Sequence, residues 1–122
     1  MFWLERTELL VKPEGLAKLQ KAHVLIVGLG GVGSYAAEFI ARAGVGSLTI
    51  VDADTVSLTN INRQLPALHS TIGQEKTAVM AARLRDINPD LNLTVLTEFL
   101  SPERAWELIT PAYDYVIDCI DS

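Results

Sequence analysis

The chain has 122 residues, 49% of them hydrophobic, a net charge of −5 and a single cysteine, Cys119. This suits one globular domain or part of one; it argues against a basic nucleic-acid footprint within the segment, and one thiol excludes an internal disulfide framework, which fits a reducing, cytoplasmic compartment. No apolar run reaches the roughly 18 residues of a membrane span, and Glu5, Arg6 and Glu8 interrupt Met1-Phe2-Trp3-Leu4 before a signal-peptide core can form.

In chain order, residues 1–22 read as an N-terminal helical segment. Residues 4–22 form one or two short helices broken at Pro13, with Leu16, Leu19 and Leu9 turned to a neighbour. His23–Val27 is a buried strand that runs into Gly28-Leu29-Gly30-Gly31-Val32-Gly33, and a helix follows from Ser34 to Ala43, stopped by Gly44. Strand, tight turn and helix with Gly28, Gly30 and Gly33 at G-x-G-x-x-G spacing are the fingerprint of a first βα turn that holds a nucleotide phosphate over a helix N-terminus.

Ser47–Asp52 is a second, near-continuously apolar strand, as expected when both faces of a parallel sheet are covered. The stretch from Ala53 to Gly73 is long for a connection, and connections of that length in compact domains are usually functional or disordered. Its apolar punctuation at Val56, Leu58, Ile61, Leu65 and Leu68 predicts an ordered, packed loop. Gln74–Asn88 is a helix with Val79, Met80, Leu84 and Ile87 on one face, closed by Asn88-Pro89. Leu91–Leu96 is a third strand. Ser101-Pro102-Glu103 opens a helix with a hydroxyl cap, proline at the first position and an acid near the positive dipole end. That helix runs to Thr110, and Tyr113–Asp118 is a fourth strand.

The order βαβ, loop, αβαβ predicts an α/β fold with a doubly wound parallel sheet, Rossmann-like, with residues 23–122 as its nucleotide-binding part. The last residues, Cys119-Ile120-Asp121-Ser122, lie just past a strand's carboxyl end, where ligands of open α/β sheets bind. The expectation is therefore a domain incomplete at its C-terminus, the N-terminal half of a working site and catalytically deficient alone.

The glycine turn together with Asp52, which follows the last glycine by roughly the 20 residues expected of a ribose-binding acid, permits a NAD- or FAD-dependent oxidoreductase. The loop argues for different chemistry. Arg63 and Lys76 add two cations after strand two. Hydride transfer has no use for them beside its phosphates. Cleavage between the α- and β-phosphates does, because charge moves onto departing pyrophosphate, and fixed cations with Mg²⁺ stabilise it. Asp121 is the candidate magnesium ligand.

Gly28-Leu29-Gly30-Gly31-Val32-Gly33, Asp52-Ala53-Asp54, Asn60-x-Asn62-Arg63-Gln64, Gly73-x-x-Lys76 and Asp118-Cys119-Ile120-Asp121 follow one another as in the E1-like (HesA/MoeB/ThiF) adenylating family, which this chain resembles from about Arg6 to Ser122. The resemblance implies ATP-dependent adenylation of a carboxylate. It implies Gly28, Gly30, Gly31 and Gly33 at the ATP phosphates, and Asp52 at the ribose with Asp54 beside it. Asn60, Arg63 and Lys76 fall on the phosphates, Gln64 supports the loop, and Asp121 falls on Mg²⁺. Arg6 resembles the arginine that family dimers contribute to the partner's site, which implies a homodimer.

Val32, Asn62, His69-Ser70-Thr71-Ile72-Gly73 and Ser122 resemble the family branch that acts on the threonylcarbamoyl group of a modified adenosine in tRNA, closing a ring with net loss of water. The alternative within the family is activation of a ubiquitin-like sulfur-carrier protein, with a sulfur-transfer partner. A non-catalytic nucleotide-binding module is a further reading. Cys119 reads as a small buried residue rather than a thioester nucleophile, and Asp118 as a structural acid. His23 and His69 read as structural, and Trp3 and Trp106 as packing residues.

Overall fold

The apolar runs separated by glycine and proline punctuation become four parallel strands. The computed structural model describes residues 2–120. The strands are β1 (His23–Val27), β2 (Ser47–Val51), β3 (Asn92–Leu96) and β4 (Tyr115–Asp118), and their order across the sheet is β3-β2-β1-β4. Val24 to Val27 pair in register with Leu48 to Val51 on one side and with Tyr115 to Asp118 on the other. The chain therefore winds outward from β1 in both directions, and the order reverses between β1 and β4. This is the doubly wound, Rossmann-like α/β sheet, and its reversal point opens a crevice at the strands' carboxyl ends.

Alternation along the central strands splits the core into two faces. Val24, Ile26, Leu48 and Ile50 face α2 (Gly33–Arg42) and α3 (Lys76–Ile87), meeting Ala37, Ala41, Met80 and Leu84. Leu25, Val27 and Val51 face the other way, toward Leu96, Leu100, Tyr113 and Leu108 of α4 (Pro102–Leu108). The α2/α3 layer is clamped by Glu38, whose carboxylate accepts from Arg83 Nε and lies 3.4 Å from Arg42 Nε. The arginines, Arg83 first, hold that carboxyl below the usual carboxylate range against the opposing effect of burial.

Several boundaries differ from the sequence expectation for local reasons. The N-terminal helix α1 (Glu5–Lys21) is interrupted at Lys12, where φ is +67°, just before Pro13. Its second part buries Leu16 and sends Leu19 to the core, while Leu9, expected to pack, is 81% exposed. β4 starts at Tyr115 because Tyr113 is diverted: its ring lies 4.4 Å from that of His23, and its hydroxyl donates to Thr49 Oγ1 at 3.2 Å. α3 starts at Lys76 because Thr55 and Glu75 form an antiparallel bridge and the Gln74 carbonyl accepts from the Val56 amide. α4 ends at Leu108, where Ile109 turns extended. Trp106 is exposed rather than packed.

Candidate nucleotide site

The site begins at the carboxyl end of β1. Gly28 adopts φ +96°, and a Cβ there would come 2.8 Å from the Cys119 carbonyl oxygen. At Gly33, the first residue of α2, a Cβ would come 1.7 Å from the Gly28 carbonyl oxygen, so helix and turn touch backbone to backbone. These two glycines are required by the protein itself. Gly30 and Gly31 are not: a Cβ would meet Gln64 Nε2 at 3.5 Å and Arg63 Cγ at 3.7 Å, both ordinary contacts. Their missing methyl groups leave the turn's backbone bare beside the Arg63-Gln64 loop, as close approach of a phosphate to backbone demands.

Asp52, just past β2, fixes the turn from one side. Its Oδ2 accepts from the Leu29 amide and its Oδ1 from the Asp54 amide, both at 2.7 Å. A carboxylate retains further lone pairs after two such bonds, so ribose hydroxyls can still be received. Asp54 continues the chain of contacts. Its carbonyl accepts from the Lys76 amide at 3.1 Å, and its carboxylate lies 3.9 Å from Lys76 Nζ. Lys76 is only 5% exposed, which sequence spacing did not anticipate. Its stem fills space, so truncation to alanine would open a void as well as remove a charge.

The 53–73 connection is ordered, carrying two 3₁₀ turns at Leu58–Asn60 and His69–Thr71. Its anchors are Val56, Gln64, Pro66 and Ala67, whereas Leu58 and Leu68 are exposed. Asn60 Oδ1 accepts from the Ser57 amide at 2.9 Å, which fixes the side-chain amide and leaves its Nδ2 as a pure donor. Arg63 Nη1 donates to Asn62 Oδ1 at 2.8 Å and to the Thr59 carbonyl at 3.2 Å, and it has no carboxylate partner among the described residues. Gln64 is nine-tenths buried beside Gly30, and its Oε1 has no hydrogen-bond partner among the described residues. A buried amide oxygen without a partner costs free energy unless something else satisfies it. The bare glycine turn, a guanidinium without a carboxylate partner among the described residues, the buried lysine and the Gln64 amide together fit a phosphorylated ligand with hydroxyl or amine donors.

Ser34, which sequence reading passed over, is fully buried at the start of α2; its hydroxyl donates to the Gly30 carbonyl at 2.5 Å and accepts from the Leu65 amide at 3.3 Å. A small hydroxyl directly after G-x-x-G was the available signal. Cys119 backs the turn, and burial, reinforced by Asp118, pushes its thiol pKa up, as suits a packing residue rather than a nucleophile. Asp118 Oδ1 accepts from the Ile120 amide at 3.0 Å.

One expected residue, Arg6, stands apart from this cluster, and another, Asp121, is not among the described residues. Arg6 is exposed two residues after Leu4, which packs on Gly44 at the amino-terminal edge of the sheet, away from the glycine turn. Asp121 lies outside the described residues, and among those described no group of three ligating side chains converges. Nor is any helix among them long and apolar enough to cross a membrane.

Comparison with known proteins matches residues 4–122 to the ThiF family profile. The tRNA threonylcarbamoyladenosine dehydratase of Haemophilus influenzae is 48% identical over 113 residues, covering 93% of this chain and 43% of that protein. The solved Escherichia coli tRNA N6-threonylcarbamoyladenosine dehydratase in complex with ATP superposes with a TM-score of 0.93 at 44% identity, over 96% of this chain and 48% of that one. The molybdopterin-synthase adenylyltransferase of Haemophilus influenzae is 40% identical over 109 residues, or 89% of this chain and 44% of the relative. The chain thus spans about half the length of the curated relatives it matches.

Proposed function

The chain belongs to the ThiF family, and from that premise we propose that it is the ATP-binding part of an adenylating enzyme whose substrate is the threonylcarbamoyl carboxylate on a modified adenosine in tRNA. The observation that carries the reading is the glycine turn bordered by Arg63, without a carboxylate partner among the described residues, and by the buried Gln64, whose Oε1 has no hydrogen-bond partner among them. ATP is a consumed substrate here. The turn and the α2 N-terminus receive its phosphates, and Asp52, with Asp54 beside it, faces the ribose. Asn60 offers only donor protons, as a phosphate requires.

A substrate carboxylate oxygen attacks the α-phosphorus, and the bond between that phosphorus and the bridging oxygen breaks as pyrophosphate leaves. Arg63 and Lys76 stabilise the charge that collects on the leaving group; buried as it is, Lys76 acts where little water screens it. The threonylcarbamoyl nitrogen then attacks the activated carbonyl carbon, AMP departs and a ring closes, so the tRNA loses the elements of water. Magnesium would be held by Asp121 and the phosphates, a coordination that needs only one or two carboxylates, and it would neutralise phosphate charge. Arg6, displaced from its own site, serves the site of a partner in a homodimer. We place the enzyme in the cytoplasm, with tRNA surface contacts made outside this acidic segment.

The test is ATP–pyrophosphate exchange by the full-length protein, with and without tRNA carrying the modified adenosine. Exchange that depends on this tRNA is expected. Exchange driven by a ubiquitin-like sulfur carrier and indifferent to tRNA would replace the substrate assignment with the second reading, carrier activation ahead of a sulfur-transfer partner. That reading is favoured by the 40% identity to a molybdopterin-synthase adenylyltransferase.

A further inference from the structure

The glycine turn and the Arg63-Gln64 loop are distant in sequence, and each is ordered by its own local hydrogen bonds. Among the described residues one side chain hydrogen-bonds to both. The Ser34 hydroxyl donates its proton to the Gly30 carbonyl at 2.5 Å and receives the Leu65 amide proton at 3.3 Å. The first bond alone would be an ordinary serine back-bond to the residue four positions earlier. The second is not local, since Leu65 immediately follows Gln64 and precedes the buried Pro66 and Ala67 that seat the loop. No water competes for the hydroxyl, because Ser34 has no exposed surface. With one proton to give and lone pairs to receive, a hydroxyl can serve both segments at once, which neither alanine nor a purely donating group could do.

We propose that Ser34 is a positioning residue that locks the phosphate-binding turn to the loop carrying Arg63 and Gln64, setting the distance between the two walls of the nucleotide site. The proposal rests on the ATP reading only for its functional consequence; the lock itself exists without ligand. In Ser34→Ala the Leu65 amide loses its acceptor and the Gly30 carbonyl keeps only the Ser34 amide, at 3.2 Å. The loop is then held to the turn by packing alone, and Arg63 and Gln64 reach the ligand less often.

The experiment uses the full-length protein and two readouts. Amide hydrogen exchange without nucleotide should show Leu65 and its loop neighbours exchanging about tenfold faster in Ser34→Ala, and ATP titration should show Kd raised by about tenfold. In an Arg63→Ala background the same serine substitution should raise Kd by less than about threefold, because the wall it positions has lost its cation. Unchanged exchange at Leu65 overturns the proposal. So does a wild-type Kd in a folded Ser34→Ala protein, or a full tenfold loss that persists without Arg63. Should Ser34→Ala fail to fold, Ser34→Cys, a weaker donor of similar shape, carries the same comparison with a smaller shift in the same direction. If the unsubstituted protein binds no ATP, the functional reading falls, and Leu65 exchange alone then decides the lock.

Discussion

Glu38 illustrates how a single residue fixes the layer behind the site. Its carboxylate is nearly buried between α2 and α3, while Arg83 and Arg42 keep about half of their side chains in solvent. Removing the charge with Glu38→Gln is expected to cost about 1–2 kcal/mol, less than a fully buried pair because the arginines are half solvated. The pH dependence follows from the lowered carboxyl pKa. The stabilisation is complete above the ordinary glutamate range and is lost as pH falls through the depressed folded value. Thermal melts of both proteins should differ by a constant amount from about pH 6 upward and converge as pH falls below the depressed carboxyl value. A gap independent of pH would mean that packing, not charge, is what Glu38 supplies.

At the level of elements, the βα turn separates two demands that the sequence presents as one motif. Gly33→Ala should destabilise the protein by at least about 3 kcal/mol, because a methyl group would overlap the Gly28 carbonyl. Gly31→Ala should leave urea stability within about 0.5 kcal/mol, since its methyl meets nothing closer than ordinary contact, yet weaken ATP binding markedly. Loss of fold in both, or of binding in neither, would erase the distinction.

The strands, the turn and the helices were legible because apolar runs, glycine spacing and the Ser101-Pro102 start are written in neighbouring residues. The 53–73 loop was legible as ordered and packed, and Val56 and Leu65 do pack, but the remaining anchors are Gln64, Pro66 and Ala67 rather than the leucines Leu58 and Leu68. Among candidate site residues, Asp52, Arg63 and Gln64 could be chosen by chemical type. The second task of Asp52, holding the Leu29 amide, and the bridging by Ser34 depend on contacts across 23 and 31 positions that no local pattern encodes.

For the whole molecule, the separation of Arg6 from the glycine turn has a testable form. If Arg6 completes a partner's site, Arg6→Ala and Lys76→Met homodimers are both inactive, the methionine keeping the buried stem's volume. Mixed subunits should regain about a quarter of normal exchange activity, because half the dimers are hybrid and one of their two sites is intact. No recovery on mixing and refolding would remove Arg6 from the site. The border of the sheet has a consequence of another kind. Among the described residues β4 pairs with β1 on one side only, and along it Tyr115 and Val116 stand in solvent. An uncovered strand edge is adhesive toward any other extended backbone. At high concentration that border would pair with the same border of a second copy, so light scattering should rise with concentration, and a proline in place of Val116 should suppress it.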